Sequence, residues 1–118
     1  NAIATFPDLI LQMHVNSADS KEAWGTEALV IDGDIKSYKY GEEWCANLNK
    51  RFKRKTRREK TKGLKILDSD DRGVSSLRLA KLCPKIITEP FFLSNKSDII
   101  SKEEYADFME WQLREWQK

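Results

Sequence analysis

Pro84-Lys85-Ile86-Ile87-Thr88-Glu89-Pro90-Phe91-Phe92-Leu93 carries the pattern from which the rest of the chain can be placed. Ile86, Ile87 and Thr88 are β-branched and favour a strand. Pro90 ends that strand, because proline has no amide hydrogen for a ladder. The strand therefore stops at a carboxylate, Glu89, with apolar residues on both sides. Burying such a group is costly unless it is paired, protonated or near a metal. A carboxyl group with a raised pKa beside a metal-bound water suits a general base. The competing reading is a glutamate that points outward at a strand edge.

A second short apolar run, residues 9–13, follows Pro7-Asp8 and ends at His14. Its length and its flanking turn residues predict a buried strand, with the polar residues 16–21 as the loop at its end. A third run, residues 25–31, closes at Asp32-Gly33-Asp34, a turn signal. Tyr40, Trp44, Leu48 and Phe52 then recur every four residues, with Cys45 beside them, which predicts an amphipathic helix. Residues 64–67 form a short extended stretch after Gly63, and residues 68–73 form a loop. Residues 74–82 are compatible with a short helix or an extended segment. Ser101-Lys102-Glu103-Glu104 is a capping-box pattern. It opens a helix with the stripe Tyr105, Phe108, Met109, Gln112, Leu113 and Trp116, and Trp111 lies off that stripe. Strands alternating with helices predict an α/β domain with a mostly parallel or mixed sheet flanked by helices. In such sheets ligands sit beyond the carboxyl ends of the strands. His14 and Glu89 both fall there.

The chain has 118 residues, enough for one domain with one packed core. No apolar run is long enough to form a transmembrane helix. The start, Asn1-Ala2-Ile3-Ala4, shows no basic-then-apolar leader and reads like the inside of a longer protein. The formal net charge of +2 hides a segment, residues 50–62, with nine Lys/Arg and one Glu. A solvated helix end plus loop is the expectation for that run, with an anion-binding surface as the sharper alternative. Nucleic acid is not expected, because stacking aromatics are not interleaved with the charge. Cys45 and Cys83 have no metal-type spacing and read as small buried hydrophobes, with a disulfide as the alternative. His14 is the single histidine. An imidazole held at a strand end is a natural zinc ligand, and a histidine with a satisfied hydrogen bond is the plainer reading. There is no Gly-rich phosphate loop, no paired CxxC and no GxSxG elbow.

Two blocks resemble the zinc-dependent N-acetylmuramoyl-L-alanine amidases of the amidase-3 family. The first is Leu11-Gln12-Met13-His14-Val15-Asn16-Ser17 followed by Gly25-Thr26-Glu27-Ala28-Leu29, similar to a strand ending in a "SIHAN" motif and then a "GxE" strand. The second is Asp71-Arg72-Gly73-Val74, then Leu77 to Leu82, then Pro84 to Asn95, similar to the family's "RGV…E-x-G-F-L-S-N" signature, and the resemblance implies a helical Asp98 to Ile100 after it. The resemblance implies a peptidoglycan hydrolase that cleaves the amide between the muramic-acid lactyl group and L-alanine of the stem peptide. It implies His14 as a zinc ligand, Glu89 as the catalytic glutamate that takes the water's proton, and Asn16 as a residue that shapes the loop. Trp24, in the loop after His14, is a further candidate for substrate contact.

The pattern departs from the family in two places. The family's other ligands, a His and a Glu, come from a first strand and helix that precede residue 1. Pro90-Phe91 stands where the family often has an apolar residue and Gly. The expectation is thus a single partial catalytic domain over residues 1–118, lacking its N-terminal strand and helix and open at one apolar sheet edge. A second chain or a missing N-terminal segment would complete the sheet. The family implies action on peptidoglycan outside the cytoplasm, in the wall or periplasm, with phage delivery as one route and no membrane insertion. The alternative function is an inactive wall-binding or partner-binding domain.

Overall fold

A computed structural model describes residues 8–68 and 83–118. Its strands are β1 (Ile10–Met13), β2 (Glu27–Ile31), β3 (Leu64–Leu67) and β4 (Lys85–Glu89); its helices are α1 (Ile35–Arg51) and α2 (Lys102–Trp116). The four strands form one mixed sheet in the order β1-β4-β2-β3. β1 runs parallel to β4, and β2 runs parallel to β3, while β2 and β4 are antiparallel. The expected α/β class with a mixed sheet is what is found. The loop and the ambiguous segment expected over residues 68–82, including Asp71-Arg72-Gly73-Val74 and Leu77 to Leu82, lie outside the described residues from position 69 onward.

Side chains alternate between the two faces of a strand. Ala28, Val30, Leu64 and Ile86 face the helices and pack with Trp44, Cys45 and Leu48 of α1 and with Phe108 and Met109 of α2. The four-residue stripe of α1 is thus its core face. Asp34 caps the helix, accepting from the Ser37 amide at 3.4 Å and from the Ser37 hydroxyl at 2.6 Å. The Ser37 hydroxyl oxygen also accepts from the Lys85 backbone N–H at 2.9 Å, which ties the start of α1 to the start of β4. Gly41 lets the helix sit close to the sheet: a Cβ there would lie 2.6 Å from Leu64 Cδ2 and 3.3 Å from Ala28 Cβ. Ser101 caps α2 as expected, accepting from Glu104 N at 3.2 Å and donating to Glu104 Oε1 at 2.9 Å. Both cysteines are buried and unpaired with each other, in line with their reading as small hydrophobes.

Three expectations need correction. β1 is not a buried strand: it lies at the sheet edge, and Ile10 (36% exposed) and Met13 (56% exposed) both reach solvent. An apolar run of this length looks the same whether one or two neighbours flank it, so sequence alone cannot separate edge from centre. Leu113 belongs to the α2 stripe by spacing but is exposed, because α1 covers only the Phe108–Met109–Gln112 side. Asp98 to Ile100 is not helical beyond one 3₁₀ turn (Lys96–Asp98), after which Ile99 is extended.

Candidate active site

The sheet topology brings three candidate side chains, His14, Glu89 and Glu27, to one end of the sheet. β1 and β4 are parallel, so their carboxyl ends coincide, and the His14 amide donates to the Thr88 carbonyl at 2.9 Å. β2 runs the other way beside β4, so its first residue, Glu27, stands in register with Glu89. Alternation then puts Gln12, His14, Ile87, Glu89, Glu27, Leu29 and Lys65 on the face opposite the two helices.

Glu89 is half-buried. Burial pushes its carboxyl above the ordinary value of 4.5, the negative charge of Glu27 adds to the rise, and Lys65 and His14 partly oppose it. Among the described residues no side chain hydrogen-bonds the Glu89 carboxylate. His14 is exposed. Its Nε2 lies 2.9 Å from the Gln12 amide nitrogen, two residues back on the same face.

Glu27 is the residue that sequence reasoning passed over, although it lies in the "GxE" block. It is only 2% exposed. Its Oε1 accepts from Asn16 Nδ2 at 2.7 Å. Its Oε2 accepts from Arg58 Nε, and Arg57 Nε is 3.7 Å away. Both oxygens are therefore occupied. The available signal was the one used for Glu89: a carboxylate set within an apolar run.

Asn16 joins the chain after β1 to the chain after β4. Its amide donates to the Phe91 carbonyl at 3.0 Å, and its carbonyl accepts from the Leu93 amide at 2.8 Å. Its Oδ1 accepts from the Ser17 amide at 2.8 Å. The Trp24 ring is 42% exposed and makes no hydrogen bond to His14 or Glu89. Its carbonyl accepts from Arg57 Nη1 at 2.6 Å. The structure thus brings His14, Asn16 and Glu89 together and leaves the Trp24 ring on the surface.

The segment beyond Glu89 is held by buried Asp98. Its carboxylate accepts from the Gly25 amide at 2.9 and 3.0 Å, from the Phe92 amide at 2.7 Å and from Arg54 Nη2 at 2.8 Å. The Pro90 carbonyl accepts from Thr26 Oγ1 at 2.9 Å and from Arg54 Nη2 at 3.3 Å. The Pro90-Phe91 departure is therefore accommodated: both residues are buried and the proline carbonyl is bonded. Gly25, at φ +103°, allows this approach, because a Cβ there would meet the Arg57 Cβ at 2.7 Å.

The basic run is a helix end plus loop whose lysines and Arg51 are exposed, as that reading expects, and these contacts set three of its arginines apart. Arg54, Arg57 and Arg58 turn inward onto Asp98, the Trp24 carbonyl and Glu27, and Arg57 lies over the Phe92 ring at 4.8 Å. Lys53, Lys55, Lys60 and Lys62 remain exposed. Composition could not separate the two sets, because the acidic partners are distant in sequence.

A catalytic zinc needs about three protein ligands and an open position. His14 offers a nitrogen and Glu89 an oxygen, while both Glu27 oxygens are taken. Among the described residues no group of three or more His, Cys, Asp or Glu side chains could hold a metal ion. The residues present do not by themselves fit a zinc centre.

The sequence matches the family described as N-acetylmuramoyl-L-alanine amidase, Amidase_3, over residues 2–109. No curated protein matches it. A structure from Neisseria meningitidis assigned as an N-acetylmuramoyl-L-alanine amidase is similar at 31% identity and TM-score 0.57, covering 77% of this chain and 46% of that one. The catalytic domain of the CD27L endolysin, targeting Clostridia difficile, gives 25% identity and TM-score 0.54, covering 77% and 42%. The CwlD amidase from Clostridioides difficile, solved in complex with the GerS lipoprotein, shares the fold at TM-score 0.71 and 17% identity, covering 89% and 50%. The chain spans about half the length of these structures.

Proposed function

The chain belongs to the N-acetylmuramoyl-L-alanine amidase family Amidase_3, and from that premise we propose that it is the C-terminal portion of a zinc-dependent catalytic domain that hydrolyses the amide between N-acetylmuramic acid and L-alanine of the stem peptide. The observation that carries this reading is the convergence of His14 and half-buried Glu89 at adjacent parallel strand ends. Glu89 accepts the proton of the attacking water as its oxygen adds to the amide carbon. It then gives that proton to the leaving nitrogen as the C–N bond breaks. A carboxyl group pushed upward by burial is a better base than an ordinary glutamate and a ready acid for the second transfer. The products are a lactyl carboxylate and a peptide with a free L-alanine amine.

The family is generally zinc-dependent. In this proposal His14 is the one nitrogen ligand the chain supplies, and the other donors lie outside these 118 residues, in a preceding segment or a second chain beside the open edge of β1. The exposed Ile10 and Met13 on that edge support a covering element. Asn16 shapes the site loop and Trp24 contacts substrate. The substrate places the activity outside the cytoplasm, and among the described residues no helix is long and apolar enough to cross a membrane.

Zinc titration of the 118-residue chain and its His14→Ala variant, beside peptidoglycan digestion by a longer polypeptide containing the chain, tests this. Weak zinc binding lost in His14→Ala, with chelator-sensitive digestion by the longer protein, is the expected result. Zinc binding unaffected by His14→Ala, or digestion indifferent to chelators, refutes it.

A further inference from the structure

The arginines of the basic run have no part in the reading above, yet they reach the candidate site. Arg58 lies in the loop before the 3₁₀ turn Glu59–Thr61, far from Glu27 in sequence. Its Nε donates to Glu27 Oε2, and Arg57 Nε stands 3.7 Å from the same oxygen. The opposite oxygen of Glu27 accepts from Asn16 Nδ2 at 2.7 Å. With the carboxylate 97% enclosed by protein, no water can replace either partner easily (its side chain is 3% exposed). Asn16 in turn fastens the segment after His14 to Phe91 and Leu93, just beyond Glu89.

We propose that Arg58 is a positioning residue of the candidate site: it fixes the Glu27 carboxylate, Glu27 fixes the Asn16 side chain, and Asn16 fixes the segment that holds His14 across from Glu89. The chain of contacts explains why a buried glutamate stands beside Glu89 without offering an oxygen to the site. It also gives a purpose to the placement of two arginines within a run whose lysines face solvent. Arg57 has a second task at the Trp24 carbonyl and the Phe92 ring, so Arg58 is the member whose described side-chain bond is to Glu27 alone. Asparagine at position 16 suits the relay, since its amide donates to Glu27 while its Oδ1 accepts from the Ser17 amide.

The inference rests on the proposed role of His14 and Glu89, but its test needs no hydrolysis. The single histidine gives one set of ring signals in a long-range 1H–15N spectrum, and the Asn16 side-chain amide gives a resolvable pair. In the labelled full chain, Arg58→Met removes the guanidinium and keeps the apolar stem. The expected result is a shift of the His14 ring signals and at least tenfold faster exchange of the Asn16 side-chain amide protons, with α2 backbone signals in place. Arg58→Lys restores part of both. General loss of stability would lower the unfolding midpoint without moving the His14 ring signals of the folded state. If Arg58→Met does not fold, Glu27→Gln, which keeps the volume and removes the charge, gives the same readout. Unchanged His14 and Asn16 signals in a folded variant overturn the proposal and leave the amidase reading standing. Shifted signals in a protein whose longer form digests no peptidoglycan support the positioning role and sink the amidase reading instead.

Discussion

Replacing Asp98 with alanine should cost about 3–5 kcal/mol, the range for breaking a buried ion pair by removing one partner. The structure shows where that loss arises. The Gly25 and Phe92 amides are buried and both donate to this carboxylate. Each would be left unsatisfied, at about 1–3 kcal/mol apiece. Arg54, only 15% exposed, would keep the carbonyls of residues 90 and 98 but lose its counter-charge. Native domains have about 5–15 kcal/mol in total, so the loss is a large share of it and should lower the Tm by about 10–20 °C. Arg54→Met should cost less, about 1–3 kcal/mol, because Asp98 retains both backbone donors. Urea unfolding followed by tryptophan fluorescence, with Trp44 fully buried as the reporter, measures both. A cost below about 1 kcal/mol for Asp98→Ala, or equal costs for the two variants, would refute the claim that the backbone donors are what this carboxylate serves.

Other outcomes follow from the same geometry. Glu89→Gln should stabilise the fold at neutral pH: the folded carboxyl sits above its ordinary value of 4.5, so the parent loses stability as pH rises from about that value through the folded pKa. Urea midpoints of the two proteins should coincide near pH 4 and separate near pH 7, and a parent more stable than the variant at pH 7 contradicts this. Gly41→Ala should destabilise by about 1–3 kcal/mol through overpacking, despite the better helix propensity of alanine, because the new Cβ meets Leu64 at 2.6 Å; thermal melting reads the difference. Burial pushes the Cys45 thiol up to about 12, so its reaction with a disulfide reagent near pH 8 should be slow until the chain unfolds, and rapid labelling of the native protein would contradict its burial.

The sequence was most informative where a pattern is local. The Tyr40–Trp44–Leu48 stripe and the Ser101–Glu104 box are set by helix geometry and capping, and both stand where their spacing put them. Ile86-Ile87-Thr88 was readable as a strand ending at Glu89 because β-branched residues and a following proline leave few options. The edge position of β1 was not readable, because it depends on which strands neighbour it. Glu27 and Asp98 were missed for a related reason. Each carboxylate takes its role from arginines some thirty to forty-four residues away in sequence, and those arginines sit in a run whose composition looks uniformly solvated. Long-range pairing of charges leaves no local spacing to read.

The account stands most directly on the products made from purified peptidoglycan by the longest natural polypeptide that contains these residues, compared with its folded Glu89→Gln variant. Mass spectrometry of the digest should show stem peptides with a free L-alanine amine and glycan strands with free lactyl carboxyl groups, both absent with Glu89→Gln. Equal product from the variant, or cleavage at a glycosidic or peptide–peptide bond instead, would contradict it.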